Sequence, residues 1–259
     1  MDVVDSCDYL VIATIQSDMS EANPRGKWRR NLEFIATILM IAASLAILWF
    51  VFFHAAPSRR PQPPRSKALP NEPLDLAGLW LQGRPNAKVM LLAHIDFECP
   101  SCARFAARLL PTLLSKYVET GNVQFAVRHF PIIDIHPNAL TAAAAAECAG
   151  RQGQFWAMHD RLLKDQKFDT AYLLDSAALL NLDAARFSSC LGDKAVRSRV
   201  LSHAAAARSL GVTATPTFFV GLVQGDGRLR VIDRFDGIGR LQRFESTLEA
   251  ALRISATGN

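Results

Sequence analysis

The chain has 259 residues, enough for one ordinary folded domain and an appendage. Half of them are hydrophobic although the net charge is +5, a share too high for a plain soluble domain unless one segment concentrates it. No basic stripe carries interleaved aromatics, so nucleic-acid binding is excluded as a reading.

Residues 1–31 show no sustained period and are expected to form a disordered cytoplasmic tail, with Cys7 unpaired in it. Phe34 to Phe53 then runs without a charge, and about 20 apolar residues match the hydrocarbon thickness of a bilayer. Residues 32–54 are therefore read as a transmembrane anchor. A cleaved secretory signal is the alternative, but its apolar core is shorter, and His54-Ala55-Ala56-Pro57 offers a poor cleavage site. Arg25, Lys27, Arg29 and Arg30 precede the span while Arg59, Arg60, Arg65 and Lys67 follow it, so flanking charge does not orient it. Residues 55–73 are rich in Pro and Arg and read as an extended linker.

The folded domain is expected over residues 74–259. Lys88 to Phe97 is a near-continuous apolar run of strand length, as in a central strand covered on both faces. It leads into Cys99-Pro100-Ser101-Cys102, after which Phe105, Leu109, Leu110, Leu113, Leu114 and Tyr117 recur at helical spacing, with a kink expected at Pro111. Asn122 to Phe130 reads as a strand, 137–211 as a helical block, Thr217–Val220 and Leu229–Phe235 as a strand pair turned at Gln224-Gly225-Asp226-Gly227, and Arg240–Ile254 as a closing helix. Trp156 and Phe155 read as core anchors of the helical block, His94 as a satisfied core residue and His159 as helix surface. His129 and His136 flank a loop where substrate contact is conceivable.

The spacing of Cys99 and Cys102 sets two sulfurs one helical turn apart, the first at a helix N-terminus, where free N–H groups and the dipole stabilise a thiolate. Cys99 is thus the exposed nucleophile and Cys102 the buried sulfur that resolves a mixed disulfide. Pro100 suits the first helical turn, where a missing N–H costs nothing. A lone C-x-x-C is also half of many zinc sites, but Cys148 and Cys190 do not form a second close pair. Copper held by Cys99, Cys102 and a remote histidine such as His129 is another alternative, and two buried structural cysteines a third.

Thr215-Pro216-Thr217-Phe218-Phe219-Val220 at the start of a late strand, together with strand, C-P-x-C helix and helical block, resembles the DsbA-type branch of the thioredoxin superfamily. The run Cys148-Ala149-Gly150-Arg151-Gln152-Gly153-Gln154-Phe155-Trp156 is similar to one in that family's helical insertion. The resemblance implies an α/β thioredoxin-like fold with an inserted helical domain, Cys99 as nucleophile, Cys102 as resolving cysteine, a cis Pro216 beside them and Thr215 pairing with an extended substrate. It also implies a structural disulfide between Cys148 and Cys190. Relatives carry a buried acid six positions before the first cysteine; Ala93 stands there, so that role is vacant or filled by Asp96 or Glu98, the latter read as a solvated residue.

The function expected is disulfide formation in cysteine-containing protein substrates, without metal or organic cofactor, on the periplasmic side of the inner membrane, where oxidised cysteines persist. The domain is held by one span and recycled by a further partner, itself a membrane protein. A dedicated reductase or isomerase, or a tethered copper-handling module, is the runner-up. An oxidase is preferred because no dimerisation domain of the isomerase branch precedes the core.

Overall fold

The computed structural model describes residues 24–54 and 69–257. The tail expected before residue 24, with Cys7, and residues 55–68 of the linker lie outside them. The chain divides into two compact units, 1–62 and 63–259.

In the first unit, helix α1 spans Pro24–His54. Its stretch Glu33–Phe50 has mean hydropathy 2.1 and none of it is buried. The helix begins earlier than the sequence pattern indicated, so residues 24–31 are helical rather than part of a disordered tail. Pro24 suits a first helical position, and the long apolar stretch that follows supplies the nucleus from which helix extends back through residues without a period of their own.

In the second unit the strands are β1 (Leu74–Asp75), β2 (Trp80–Gln82), β3 (Val89–Ile95), β4 (Val123–His129), β5 (Thr217–Val223) and β6 (Arg228–Asp236). They form one sheet in the order β1-β6-β5-β3-β4-β2. β3 lies at its centre, parallel to β4 and antiparallel to β5, with all seven residues buried. This two-sided burial is the reason its sequence is apolar without alternation. β1 and β2 escaped the sequence reading because two and three residues are too few to display a period.

Each face of the sheet carries its own core. Val89, Leu91, Ala93 and Ile95 pack with Cys102 and Phe105 of helix α2 (Pro100–Arg108), while Met90 and Leu92 pack with Ala204 and Ala207 of helix α8 (Lys194–Ser209) on the other face. The helical run is interrupted just before Pro111, where a kink was expected. Leu109 stays in the right-handed helical region but with a stretched φ of −115°, a short α3 follows over Leu110–Leu113, and a π-helical turn covers Leu114–Val118. The proline lacks the N–H that would bond back one turn and its ring crowds that carbonyl.

The helical insertion comprises α4 (Ala139–Gly150), α5 (Phe155–Asp165), α6 (Thr170–Leu179), α7 (Ala184–Leu191) and α8. α4 is buried from Ala142 to Gly150, and its alanines permit close approach on every side. The indole of Trp80 lies against Gly150, where an added Cβ would come within 2.4 Å of it, and stacks on Phe155 at 4.9 Å. Phe155 is buried and Trp156 partly so. His159 is buried as well, contrary to the surface position expected of it. It lies one turn after Phe155, on the same helix face, with its ring 5.7 Å from Phe97 and Nδ1 satisfied by Asp160 Oδ1 at 2.8 Å. The turn at 224–227 closes β5 onto β6, Gly227 taking φ +78°. Helix α9 (Leu241–Thr257) covers the sheet with Phe244 against Phe218.

A buried polar cluster ties the insertion to the sheet. Glu147 Oε1 accepts from Trp80 Nε1 at 3.0 Å and pairs with His129 Nε2 at 2.9 Å, and Oε2 accepts from Arg199 Nε at 3.0 Å. Arg199 also donates to the Gly78 carbonyl. Burial alone would raise the Glu147 carboxyl, but His129, Arg199 and Trp80 hold it down to about 2, so it is a carboxylate at any ordinary pH.

Candidate active site

Cys99 is the N-cap of α2, in extended geometry at φ −75°, ψ 119°, and Pro100 occupies the first turn. A cysteine at this position leaves its sulfur beside the unpaired N–H groups of the first turn. Both Cys99 and Cys102 are free thiols in this structure. Cys99, expected to be exposed, is buried at 8% exposure because the Thr215 loop packs over its sulfur, and Cys102 is fully buried. The two sulfurs have opposite acidities. The hydrogen bond from the Cys102 thiol, aided by Thr215 and then by the backbone N–H groups of Cys102 and Ser101, lowers the Cys99 thiol to about 5 against the cost of burial. Burial pushes the Cys102 thiol well above its ordinary value, and the hydrogen bond and charge of Cys99 add to that. The pair is thus poised as one thiolate and one thiol at neutral pH.

The strand-entry loop brings Thr215 and Pro216 to this pair. The Thr215–Pro216 peptide bond is cis, and the Cys99 sulfur lies 3.4 Å from the Thr215 carbonyl oxygen, to which it donates only in its protonated form. The loop is fixed from behind. Thr217 Oγ1 donates to the Ala214 carbonyl at 2.8 Å and bonds Asp236 Oδ1 at 2.9 Å, and the Gly237 N–H donates to the Pro216 carbonyl at 2.7 Å. The structure therefore gathers Cys99, Cys102, Thr215 and Pro216 at one place. Cys148 and Cys190 lie elsewhere, joined across the insertion between α4 and α7, with an S–S distance of 2.04 Å.

No carboxylate is supplied to the sulfurs from the positions considered for it. Ala93 is buried on the same face of β3 as Cys102 and offers no proton acceptor. Asp96 accepts from the Glu98 N–H at 2.9 Å and from the Ile132 N–H at 2.8 Å, and pairs with His136 Nδ1 at 2.8 Å. Glu98 is half-buried, and its carboxylate accepts from the Asn138 backbone N–H at 2.6 Å and from Asn138 Nδ2 at 2.9 Å, both at an exposed site. These bonds turn Glu98 toward the start of α4. His129 pairs through Nε2 with Glu147 in the buried cluster that ties the insertion to the sheet, and the structure gives it no contact with the two sulfurs. His203 completes a group with His129 and Glu147 whose donor atoms lie within 4.8 Å of one another, but both Glu147 oxygens are engaged and one of their partners is the Arg199 cation. His94 is fully buried, with Nδ1 3.4 Å from the Thr217 carbonyl, and burial lowers it to about 3, so it is neutral.

The fold and site define a thioredoxin-fold protein with an inserted helical domain. A profile of the family described as Thioredoxin matches residues 77–231, more than half of the chain, and the chain belongs to that family. Among solved structures it resembles alpha-DsbA1 from Wolbachia pipientis, with TM-score 0.63 and 24% identity over 71% of this chain and 95% of that one. BdbD from Bacillus subtilis, in its oxidised form, matches with TM-score 0.60 and 19% identity over 72% and 100%. A curated relative, "Probable disulfide bond formation protein D" of Bacillus anthracis, is 29% identical over 53% of this chain and 67% of its own length. The Na(+)/H(+) antiporter NhaA 1 of Salinispora arenicola is 37% identical over 71% of this chain. The chain spans only 22–33% of the length of the first three antiporters that it matches. A match over 71% of this chain must include the thioredoxin-like unit, since the first unit ends at residue 62.

Proposed function

We propose that the protein is a membrane-anchored thiol–disulfide oxidoreductase that forms disulfides in cysteine-containing proteins outside the cytoplasm. The single observation that carries the chemistry is the opposed acidity of the two thiols at the head of α2, with Cys99 lowered to about 5 and Cys102 raised. In the oxidised enzyme a substrate thiolate attacks the Cys99 sulfur, the Cys99–Cys102 bond breaks, and Cys102 leaves with the electron pair and takes up a proton. The second substrate thiol, losing its proton, then attacks the substrate sulfur of the mixed disulfide, and Cys99 leaves as a thiolate. The substrate loses two electrons, the pair gains two, and Cys102 retains one proton. A low Cys99 pKa favours this last departure, because a more acidic thiol is the better leaving group.

Thr215, through the backbone beside the nucleophile, is the residue that aligns an extended substrate, and Pro216 shapes that edge. The anchor reading is supported by the apolar stretch Glu33–Phe50, and the extracytoplasmic placement by the need for oxidising surroundings. A second membrane protein that reoxidises the pair is implied, since each turnover leaves it reduced. The ion exchange in the antiporters' names belongs to those proteins.

One experiment tests chemistry and side together. In intact cells, Cys102→Ser is expected to accumulate mixed disulfides on Cys99 after acid quench with substrates that lack a second nearby thiol, because Cys102 is no longer there to attack Cys99 and release them. A membrane-impermeant maleimide, applied after mild reduction, is expected to cap Cys99, prevent the adducts and spare Cys7. Labelling of Cys7 alone contradicts the placement, and adducts on Cys102 in the Cys99→Ser protein alone reverse the roles.

A further inference from the structure

Asp96 has no part in the electron transfer described above, yet it is among the most fully engaged polar groups near it. It is 1% exposed and lies three residues before Cys99, whose N–H donates to the Asp96 carbonyl at 3.2 Å. Its carboxylate closes the turn from β3 into the active site through the Glu98 N–H. The same carboxylate reaches across to a separate segment, holding the Ile132 N–H and His136 Nδ1, each at 2.8 Å. Glu98 grips the far end of that segment at Asn138. The two acids of Asp96-Phe97-Glu98 thus bracket the loop 131–138 and bind it to the turn that aims the nucleophile.

The loop so held carries two exposed apolar side chains, Ile133 at 46% and Ile135 at 67% exposure. The bonds from Asp96 and Glu98 fix their backbone next to the Cys99 turn. Much of each side chain faces solvent, and burying that apolar area is the gain open to them. The occupant at hand is the polypeptide whose sulfur has just joined Cys99, because that bond brings an unfolded chain to this rim.

We propose that Asp96 is a positioning residue that, with His136, sets the 131–138 loop so that Ile133 and Ile135 grip polypeptide substrates. The inference rests on the exchange reading of Cys99 and Cys102. It separates two kinds of substrate: a small dithiol needs only the sulfurs, whereas a polypeptide gains from the loop. A buried carboxylate with a purely structural role would treat both alike.

The test compares second-order rates for oxidation of dithiothreitol and of a reduced, unfolded ribonuclease by the oxidised full-length protein. His136→Leu removes the donor at the partly exposed end of the clamp. It is expected to lower the ratio of ribonuclease to dithiothreitol rates about tenfold, the scale of losing one hydrogen bond to a charged group. His136→Asn, which restores a side-chain N–H of similar reach, is expected to bring the ratio back to within about twofold. Asp96→Asn is expected to lower it as well, and Ile133→Ser/Ile135→Ser to lower it without altering melting of the fold. An unchanged ratio in His136→Leu, or rates that fall together on both substrates, overturns the proposal. A wild-type protein that fails to oxidise dithiothreitol overturns the exchange reading itself and the proposal with it, a result distinguishable from the former.

Discussion

Replacing Cys99 by serine is expected to reduce disulfide transfer to the rate seen without protein, while Cys102→Ser retains a reactive Cys99. The reason lies in ionisation. A thiol lowered to about 5 is almost wholly thiolate at neutral pH, whereas an ordinary cysteine is a few per cent ionised, a difference of about 30-fold in the reactive species. A serine hydroxyl at the same N-cap does not ionise and forms no disulfide. Iodoacetamide consumption across pH checks the cause: wild-type protein should show one fast thiol whose rate rises with a midpoint near 5. A fast thiol that persists in Cys99→Ser assigns the nucleophile to Cys102 and contradicts the account.

The second large effect is on stability. Cys148 and Cys190 close a loop of 42 residues between α4 and α7. In the chain-entropy treatment that constraint contributes about 4 kcal/mol by restricting the unfolded chain. Cys148→Ala/Cys190→Ala is expected to lose about that much in urea unfolding of the folded unit, with a melting temperature lower by about 10 °C. The alkylation profile of Cys99 should persist, because the bridge lies apart from the site. A loss below about 1 kcal/mol would show that the insertion's packing, centred on Phe155 and Trp80, suffices without the bond.

The elements legible in the sequence were those with a long, simple pattern. β3 announced itself by an almost unbroken apolar run, α1 by the uncharged stretch from Phe34 to Phe53 within it, and β5 and β6 by the turn at Gly227. The sulfur pair was legible for a local reason, since N-cap position and one-turn spacing follow from four adjacent residues. What was not legible depends on contacts far apart in the chain. The bond between Asp96 and His136 spans 40 residues, that between Arg199 and Glu147 spans 52, and that between Trp80 and Glu147 spans 67. Nothing local to Glu98 reveals Asn138 beside it, 40 residues on. The acid–x–acid pattern of Asp96 and Glu98 held one usable hint, an aspartate able to bond the N–H two residues on. His159 was misplaced because a polar side chain on a short helix reads as surface until its i−4 neighbour, Phe155, is known to be buried.

The most direct measurement is the reduction potential of the Cys99–Cys102 pair as a function of pH, obtained by equilibrating the protein in glutathione buffers and scoring the two thiols. A stabilised Cys99 thiolate favours the reduced form and makes the disulfide oxidising, so the potential at pH 7 should lie between those of thioredoxin and DsbA, about −270 and −120 mV. Because Cys99 ionises near 5 while Cys102 holds its proton, two electrons should travel with one proton above that pH, giving a slope of about 30 mV per pH unit that steepens to about 59 mV below it. A potential below about −300 mV marks a structural disulfide rather than an exchanging one. That result, or a two-proton slope across neutral pH, contradicts the account.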